Sequence, residues 1–394
     1  MILIVCAAVC SMQAQDWPQL RGPNRDGSYA GPGRVPVAQL WKKGIGQGFA
    51  APSVAQGKLI VFHRDGNKEL VEAWNPANGA KIWSYGYATA YRDDFGFDEG
   101  PRAAPTIDNG KVYTFGAEGQ LHCVNLADGK RIWSEDTHRR FRVRKGYFGA
   151  ASAPIVENGK VLVNIGGPEA GIVAFDAQTG KPAYQITSDE AGYSSPVAAM
   201  VGGLRRVLFL TRAGLVDVDA AEGKARHQMP WRSRSQASVN AAMPVAAGDT
   251  VFLSASYGTG AIALDVKGGS YTKLWSNDDS LSCHYATPVH VNGVLYGFHG
   301  RQEEGQEFRA VELRTGKVLW STGGLRAGTV TLAGDTLLVL RENGELITAK
   351  ADPKQFRPAG KYQLLDGVVR AYPAIADGRL ILRNETHMTA YRLQ

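Results

Sequence analysis

Three arginines and two tyrosines recur at one place in this sequence. Arg102, Tyr193, Tyr285 and Arg370 each stand three residues before a proline, and Arg326 stands three before Thr329, where the proline is missing. Phe49, Ala151 and Ala241 hold the same place elsewhere, and Ser194, Asn240 and His284 lie beside it. A guanidinium is a planar fork of donors that matches carboxylate or phosphate. Tyrosine adds flat, amphipathic contact surface. Brought together, these side chains would hold an anionic ligand or an acidic protein segment. The competing reading is that they seal a surface by bonding neighbouring loops and water. The stretch YRDDFGFDEG (91–100) leads straight into Arg102, and its Asp93, Asp94, Asp98 or Glu99 would then neutralise the arginines.

No other set of residues matches a reaction. The eight histidines lack a metal-ligand spacing. Cys283 and His284 are adjacent, but neighbours on a strand point to opposite faces, which works against a thiol–imidazole pair. His284 and His290 share a face only if the strand is unbroken. There is no nucleophile elbow, phosphate loop or dinucleotide fingerprint. No catalytic residue and no metal ligand is assigned. The net charge of +7 is mild, and the basic runs HRRFRVRK (138–145) and PWRSRSQ (230–236) are short, so a nucleic-acid partner is not expected.

What must position these residues is a repeat. A phrase of apolar alternation, a polar turn ending in Gly-Lys and then an aromatic occurs as EAWNPANGAKIW (72–83), HCVNLADGKRIW (122–133), VAFDAQTGKPAY (173–184) and AVELRTGKVLW (310–320). VDVDAAEGKARH (216–227) lacks the final aromatic, IALDVKGGSYTKLW (262–275) carries an insertion, and KADPKQFRPAGKY (350–362) is degenerate. The turn glycines Gly79, Gly129, Gly180, Gly223, Gly269 and Gly316 are 43 to 51 residues apart. Each unit opens with small residues and proline, as in AAPSV, AAPTI and SAPIV, followed by a hairpin signal such as NGKVYTF or GDTVFLS. Four short strands per unit at this period specify a β-propeller.

Eight openings are present, so the fold class is all-β: a single eight-bladed propeller with four antiparallel strands per blade. The last unit holds only three strands, and VAQLWKK (37–43) supplies the fourth, which closes the ring and hides two exposed edges. One aromatic per blade (Trp41, Trp83, Trp133, Tyr184, Trp275, Trp320 and Tyr362) reads as blade-to-blade packing rather than cofactor stacking. In a propeller, the loop before the innermost strand lies at the mouth of the central channel. The recurring Arg/Tyr position therefore becomes a ring around the axis.

The first fourteen residues, MILIVCAAVCSMQA, form an apolar run too short to span a membrane and suited to a secretory leader, with cleavage near Ala14. Cys10 invites lipidation, although Val9 is not the small residue expected before it. Residues 15–36 read as a linker lying over the ring, and 37–394 as the propeller. No other apolar run suits a membrane helix. Cys123 and Cys283 are the remaining cysteines, open to one disulfide but to no framework.

The phrase ALDxxTGKxxW resembles the quinoprotein-type (PQQ-like) propeller repeat. DWPQLRGPNRDG (16–27) resembles the opening of exported PQQ-like proteins of bacterial envelopes, and GAEGQLHCVN, NIGGPEAGIVAFD, FLSASYGTGA, HYATPV and HGRQEEGQE extend the likeness over the chain. Length and blade count are also similar to the BamB family of outer-membrane assembly propellers. The resemblance implies an exported monomer of the periplasm or outer-membrane periphery that binds an envelope protein, a peptide or an anionic small molecule without catalysis. The alternative it implies is a PQQ-binding oxidoreductase or small-molecule-binding propeller. PQQ dehydrogenases add an adjacent cysteine pair and a calcium site, and this sequence has no Cys-Cys and no haem-attachment motif.

Overall fold

A computed structural model describes residues 15–33, 38–233, 235 and 239–393. The leader, with Ala14 and Cys10, lies outside them. Eight sheets of at least four antiparallel strands surround one axis. Blades one to seven begin at Ser53, Thr106, Ile155, Val197, Val245, Val289 and Gly328, and blade eight at Ala374. Innermost strands of successive blades lie side by side from blade one to blade seven, and blade eight closes on blade one. The N-terminal strand Gln39–Gly44 pairs antiparallel with His387–Arg392, which completes blade eight from both chain ends. A short helix, Thr137–Arg140, follows blade two.

The repeat aromatics hold blade to blade. Trp41 Nε1 donates to Pro76 O at 2.9 Å, Trp83 to Leu126 O at 3.0 Å and Trp275 to Leu313 O at 2.8 Å, each carbonyl lying in the turn of the next blade. Tyr184 makes the same bond to Ala220 O through its hydroxyl, at 3.0 Å. The ring also covers the turn glycine. A Cβ on Gly79 would sit 2.9 Å from the Trp41 ring, and one on Gly180 2.6 Å from Trp133. Glycine there provides the positive φ of the turn and the space for the indole. Blade four, whose phrase ends in histidine, departs from this. His227 stacks on Tyr271 at 4.2 Å instead, beside the buried Arg206–Asp217 pair.

Residues 15–33 do more than lie over the ring. They enter the channel. Asp16 and Gln15 bond Gln56 and Asp377 in the turns that end the first strands of blades one and eight. The chain then runs up the axis, where Leu20 packs on Ala51, Ala104 and Ala153. It returns to the same end, where Ser28–Tyr29 pairs parallel with Leu332 and Ala333. Arg21 and Arg25 are 1% exposed. Arg25 donates to Pro154 O, to Pro196 O at 3.0 Å and to Thr106 Oγ1 at 3.1 Å, and Arg21 donates to Pro288 O at 2.9 Å. Among the described residues no carboxylate pairs with Arg25, and burial pulls its pKa down to about 9, so it stays charged near neutrality.

Two outcomes are expected. Removing the Arg25 side chain orphans the carbonyls it serves, so Arg25→Ala should lower stability in urea by about 2–3 kcal/mol, and a loss under about 0.5 kcal/mol would show that the plug is dispensable. The second concerns acid. His122 stacks on Tyr87 at 3.9 Å with its Nδ1 3.0 Å from the Tyr85 hydroxyl, and burial pulls its pKa down to about 4. The unfolded chain therefore takes up this proton near the ordinary histidine pKa of about 6.5, before the folded protein does. Stability should fall as pH drops from about 6.5 to 4, with His122 contributing about 2–3 kcal/mol of the loss. Melting temperatures of His122→Phe should decline less steeply over that window, and an identical slope would refute the assignment.

Candidate functional site

Above the tip of the plug, at the opposite end of the channel, is a blind cavity of about 290 Å³. Its walls include seven of the eight recurring positions: Phe49, Arg102, Ala151, Tyr193, Ala241, Tyr285 and Arg370. Leu20 and Tyr372 also line it, and the Arg21 guanidinium sits 5.3 Å from the Tyr372 ring centre, so the plug forms its floor. The Pro at each blade opening sets an extended start, and the small residues beside it bring the inner strands close to the axis.

Arg326 is not on this cavity. It is exposed, at φ 56°, and borders a separate cleft with Arg341 and Glu342. The missing proline explains the shift. In the other blades the strand begins one residue after Pro, four beyond the ring position, whereas in blade seven it begins at Gly328, two beyond Arg326. Asn240 is 2% exposed, and its side-chain amide donates to Thr211 O at 2.7 Å while its backbone carbonyl accepts from Tyr193 N and Ser194 N. It braces the loop and does not line the cavity.

The two arginines on the cavity are engaged. Arg102 Nη2 meets Asp93 Oδ2 at 2.5 Å, on a carboxylate with no exposed side-chain surface, and also donates to Asp98 O at 3.0 Å. Arg370 Nε meets Glu342 Oε1 at 3.0 Å, and the Tyr285 hydroxyl donates to the same oxygen at 2.7 Å. Burial, reinforced by Glu342, holds the Tyr285 pKa well above its ordinary value, so it remains a neutral donor. Phe49 lies between the guanidinia, 6.0 Å from Arg102 and 5.6 Å from Arg370. Phe148 and Phe97 complete this stack at 5.7 Å from Arg102 and 5.9 Å from Arg370. The acidic loop thus neutralises Arg102, and what faces the cavity is an aromatic wall with guanidinium planes set into it.

On the other side, His284 Nε2 lies 2.9 Å from the Tyr257 hydroxyl, and burial pulls its pKa below the ordinary value. Its Nδ1 is buried with no hydrogen-bond partner among the described residues. Cys283 is fully buried, and burial pushes its thiol to about 12, so no thiolate pairs with His284. Cys123 and Cys283 are both free. The His290 ring accepts from Gly293 N at 3.0 Å in a turn.

Sequence reading missed Phe97, Phe148, Tyr257, Glu303 and the floor residues. A signal for one of them, Phe97, existed. Phe95 and Phe97 stand in the loop YRDDFGFDEG, and both are 56% exposed.

PQQ, a planar quinone, would bring three carboxylates into this cavity. It would face Glu303 and two guanidinia that already carry carboxylate partners. Among the described residues no three His, Cys, Asp or Glu side chains converge as cation ligands. These donors do not fit a calcium-bound tricarboxylate.

If Arg102 is held by Asp93, Arg102→Met should cost about 3 kcal/mol, because a buried carboxylate loses its partner. Adding Asp93→Asn should recover most of that loss, which a double-mutant cycle in urea would measure. Absence of coupling would return Arg102 to the pool of free anion-binding groups.

A family profile described as outer membrane protein assembly factor BamB matches residues 67–322. The outer membrane protein assembly factor BamB of Burkholderia pseudomallei is 26% identical over 320 residues, covering 78% of this chain and 75% of that protein. The quinohemoprotein alcohol dehydrogenase ADH-IIG of Pseudomonas putida is 29% identical over 160 residues, 39% of this chain but only 21% of the enzyme. The chain thus matches about a fifth of that enzyme's length. Among solved structures, BamB from Moraxella catarrhalis superposes with a TM-score of 0.66 at 14% identity, over 91% of this chain and 98% of that one. Quinohemoprotein alcohol dehydrogenase from Comamonas testosteroni gives the same TM-score and identity over 96% and 80%. At that identity the two structures share the fold.

Proposed function

Because the chain belongs to the outer membrane protein assembly factor BamB family, we propose that it is an exported, non-catalytic binding propeller of the bacterial envelope that captures a partner protein on its channel-mouth face. The observation that carries this is the blind aromatic cavity whose arginines are already compensated, rimmed by the exposed Phe95 and Phe97. A cavity of about 290 Å³ suits one large side chain or a small ligand. The rim favours the side chain. Phe95 stacks on Phe97 at 6.1 Å and on Phe148 at 5.3 Å, which builds apolar surface outside the cavity where a small ligand would leave it wet. A protein segment covers that surface and inserts one apolar or aromatic anchor, the arrangement of a binding hot spot with its rim.

The relatives named as assembly factors support a protein partner. Among the described residues no helix is long and apolar enough to cross a membrane. The apolar leader supports export.

The test uses a photoreactive residue at Phe97 in cells, with the same residue at Asn109, in a turn at the plug-entry end, as control. A discrete adduct is expected from Phe97 only. Ala241→Trp, which fills the cavity from one of its walls, should reduce that adduct about tenfold. Equal adducts from both faces, or none from Phe97, would overturn the reading.

A further inference from the structure

A second depression, of about 680 Å³, runs beside the cavity between the loop 142–151 and the loop 188–193. Ala151 and Tyr193 line both, so the groove and the cavity meet at these two residues. The groove has its own charge pattern. Lys145 is paired with Asp94, and Arg212 lies 3.3 Å from Glu190. Arg142 and Arg144 line the groove, are exposed and pair with no carboxylate among the described residues, and Arg139 is exposed on the same segment. Glu169 is the carboxylate that remains on that wall. The cavity is therefore charge-compensated, while the groove leading into it keeps a positive excess.

The juncture between them is aromatic. Tyr147 packs on Phe148 at 6.5 Å and on Phe95 at 6.1 Å, and Phe148 meets Tyr193 edge-on at 5.5 Å. The Tyr193 hydroxyl accepts from Phe148 N at 3.1 Å, which fixes the wall that the two depressions share.

From this we infer that the captured segment is acidic and extended, lying along the Arg142/Arg144 groove and placing a phenylalanine-sized anchor over Tyr193 into the cavity. This rests on the capture reading above and adds to it the chemistry and the path of the partner. Uncompensated cations at a rim steer an acidic partner and set its register, while the aromatic cavity supplies the buried anchor. A polynucleotide would use the cations but leave a neutral cavity for a single side chain unfilled.

The experiment is fluorescence anisotropy on the exported chain with a labelled probe peptide, a run of Asp and Glu followed by Gly-Phe. Its counterparts carry Lys in place of the acids, or Ala in place of Phe. The acidic Phe peptide should bind at least about tenfold more tightly than the Lys peptide at low salt, and less so as salt rises. Arg142→Glu with Arg144→Glu should cost about tenfold and abolish most of the salt dependence, with the melting temperature unchanged. Ala241→Trp should weaken the Phe peptide and leave the Ala peptide unaffected. Equal binding of acidic and basic peptides, indifference to the charge reversal, or an oligothymidylate that binds as tightly overturns the inference. The two readings separate in cells. If the Phe97 adduct survives the charge reversal, the acidic path fails and capture stands, whereas the absence of any Phe97 adduct removes both.

Discussion

Eight innermost strands converge on one axis, and the backbone carbonyls that reach it need donors. A buried backbone acceptor without a partner costs free energy comparable to a lost hydrogen bond. In this chain Arg25 and Arg21 supply those donors from the N-terminal hairpin, reaching carbonyls in blades three, four and six. Much else depends on that solution. The openings must be small, as Ala51, Ala104 and Ala153 are, because the hairpin occupies the space larger side chains would fill. The channel must be blind, because Leu20 and Tyr372 stop it. The open cavity is thereby restricted to one end of the ring.

The ring is a closed cycle of similar contacts. Trp41, Trp83, Trp133, Tyr184 and Trp275 each donate to the next turn and cover its glycine, so these adjacent blades are coupled through a nearest-neighbour term. The junction between blades four and five uses other means. There the Arg206–Asp217 pair is buried and His227 stacks on Tyr271. A buried ion pair favours one geometry over alternatives, at a desolvation cost that the indole junctions avoid. Several histidines, His122, His138, His227 and His284 among them, are held below their ordinary pKa by burial, so the ring is built to be neutral at these positions near pH 7.

The fold was legible because a propeller writes itself at two periods: strand alternation, and the recurring phrase that ends in Gly-Lys and an aromatic. Trp41 could be placed in blade eight from that phrase alone, and its pairing partner is Ala390 in the last strand. The mouth was legible where proline marks the strand start. It failed at Arg326, where proline is absent and the ladder extends by its own geometry. The role of residues 15–33 was not legible, because nothing local distinguishes an arginine that covers a ring from one that threads it. The bracing role of Asn240 was not legible for the same reason: its backbone carbonyl and side-chain amide are spent on backbone partners that only the loop's closure creates.

The distribution of charge underlies the partner proposed for the mouth. Arg102 and Arg370 line the cavity but spend their charge on Asp93 and Glu342, so they act there as flat polarised surfaces against Phe49, Phe97 and Phe148. A guanidinium stacked on a ring still attracts an aromatic guest while making no strong demand for an anion. The uncompensated cations sit outside, on the exposed segment that carries Arg139, Arg142 and Arg144. Attraction at a distance is thus assigned to the groove, and shape and dispersion to the cavity. The separation follows from burial. A charge held in the enclosed cavity without a partner would cost several kcal/mol on the order usual for a desolvated ion, whereas the same charge on an exposed loop costs little and acts over roughly a Debye length of about 10 Å.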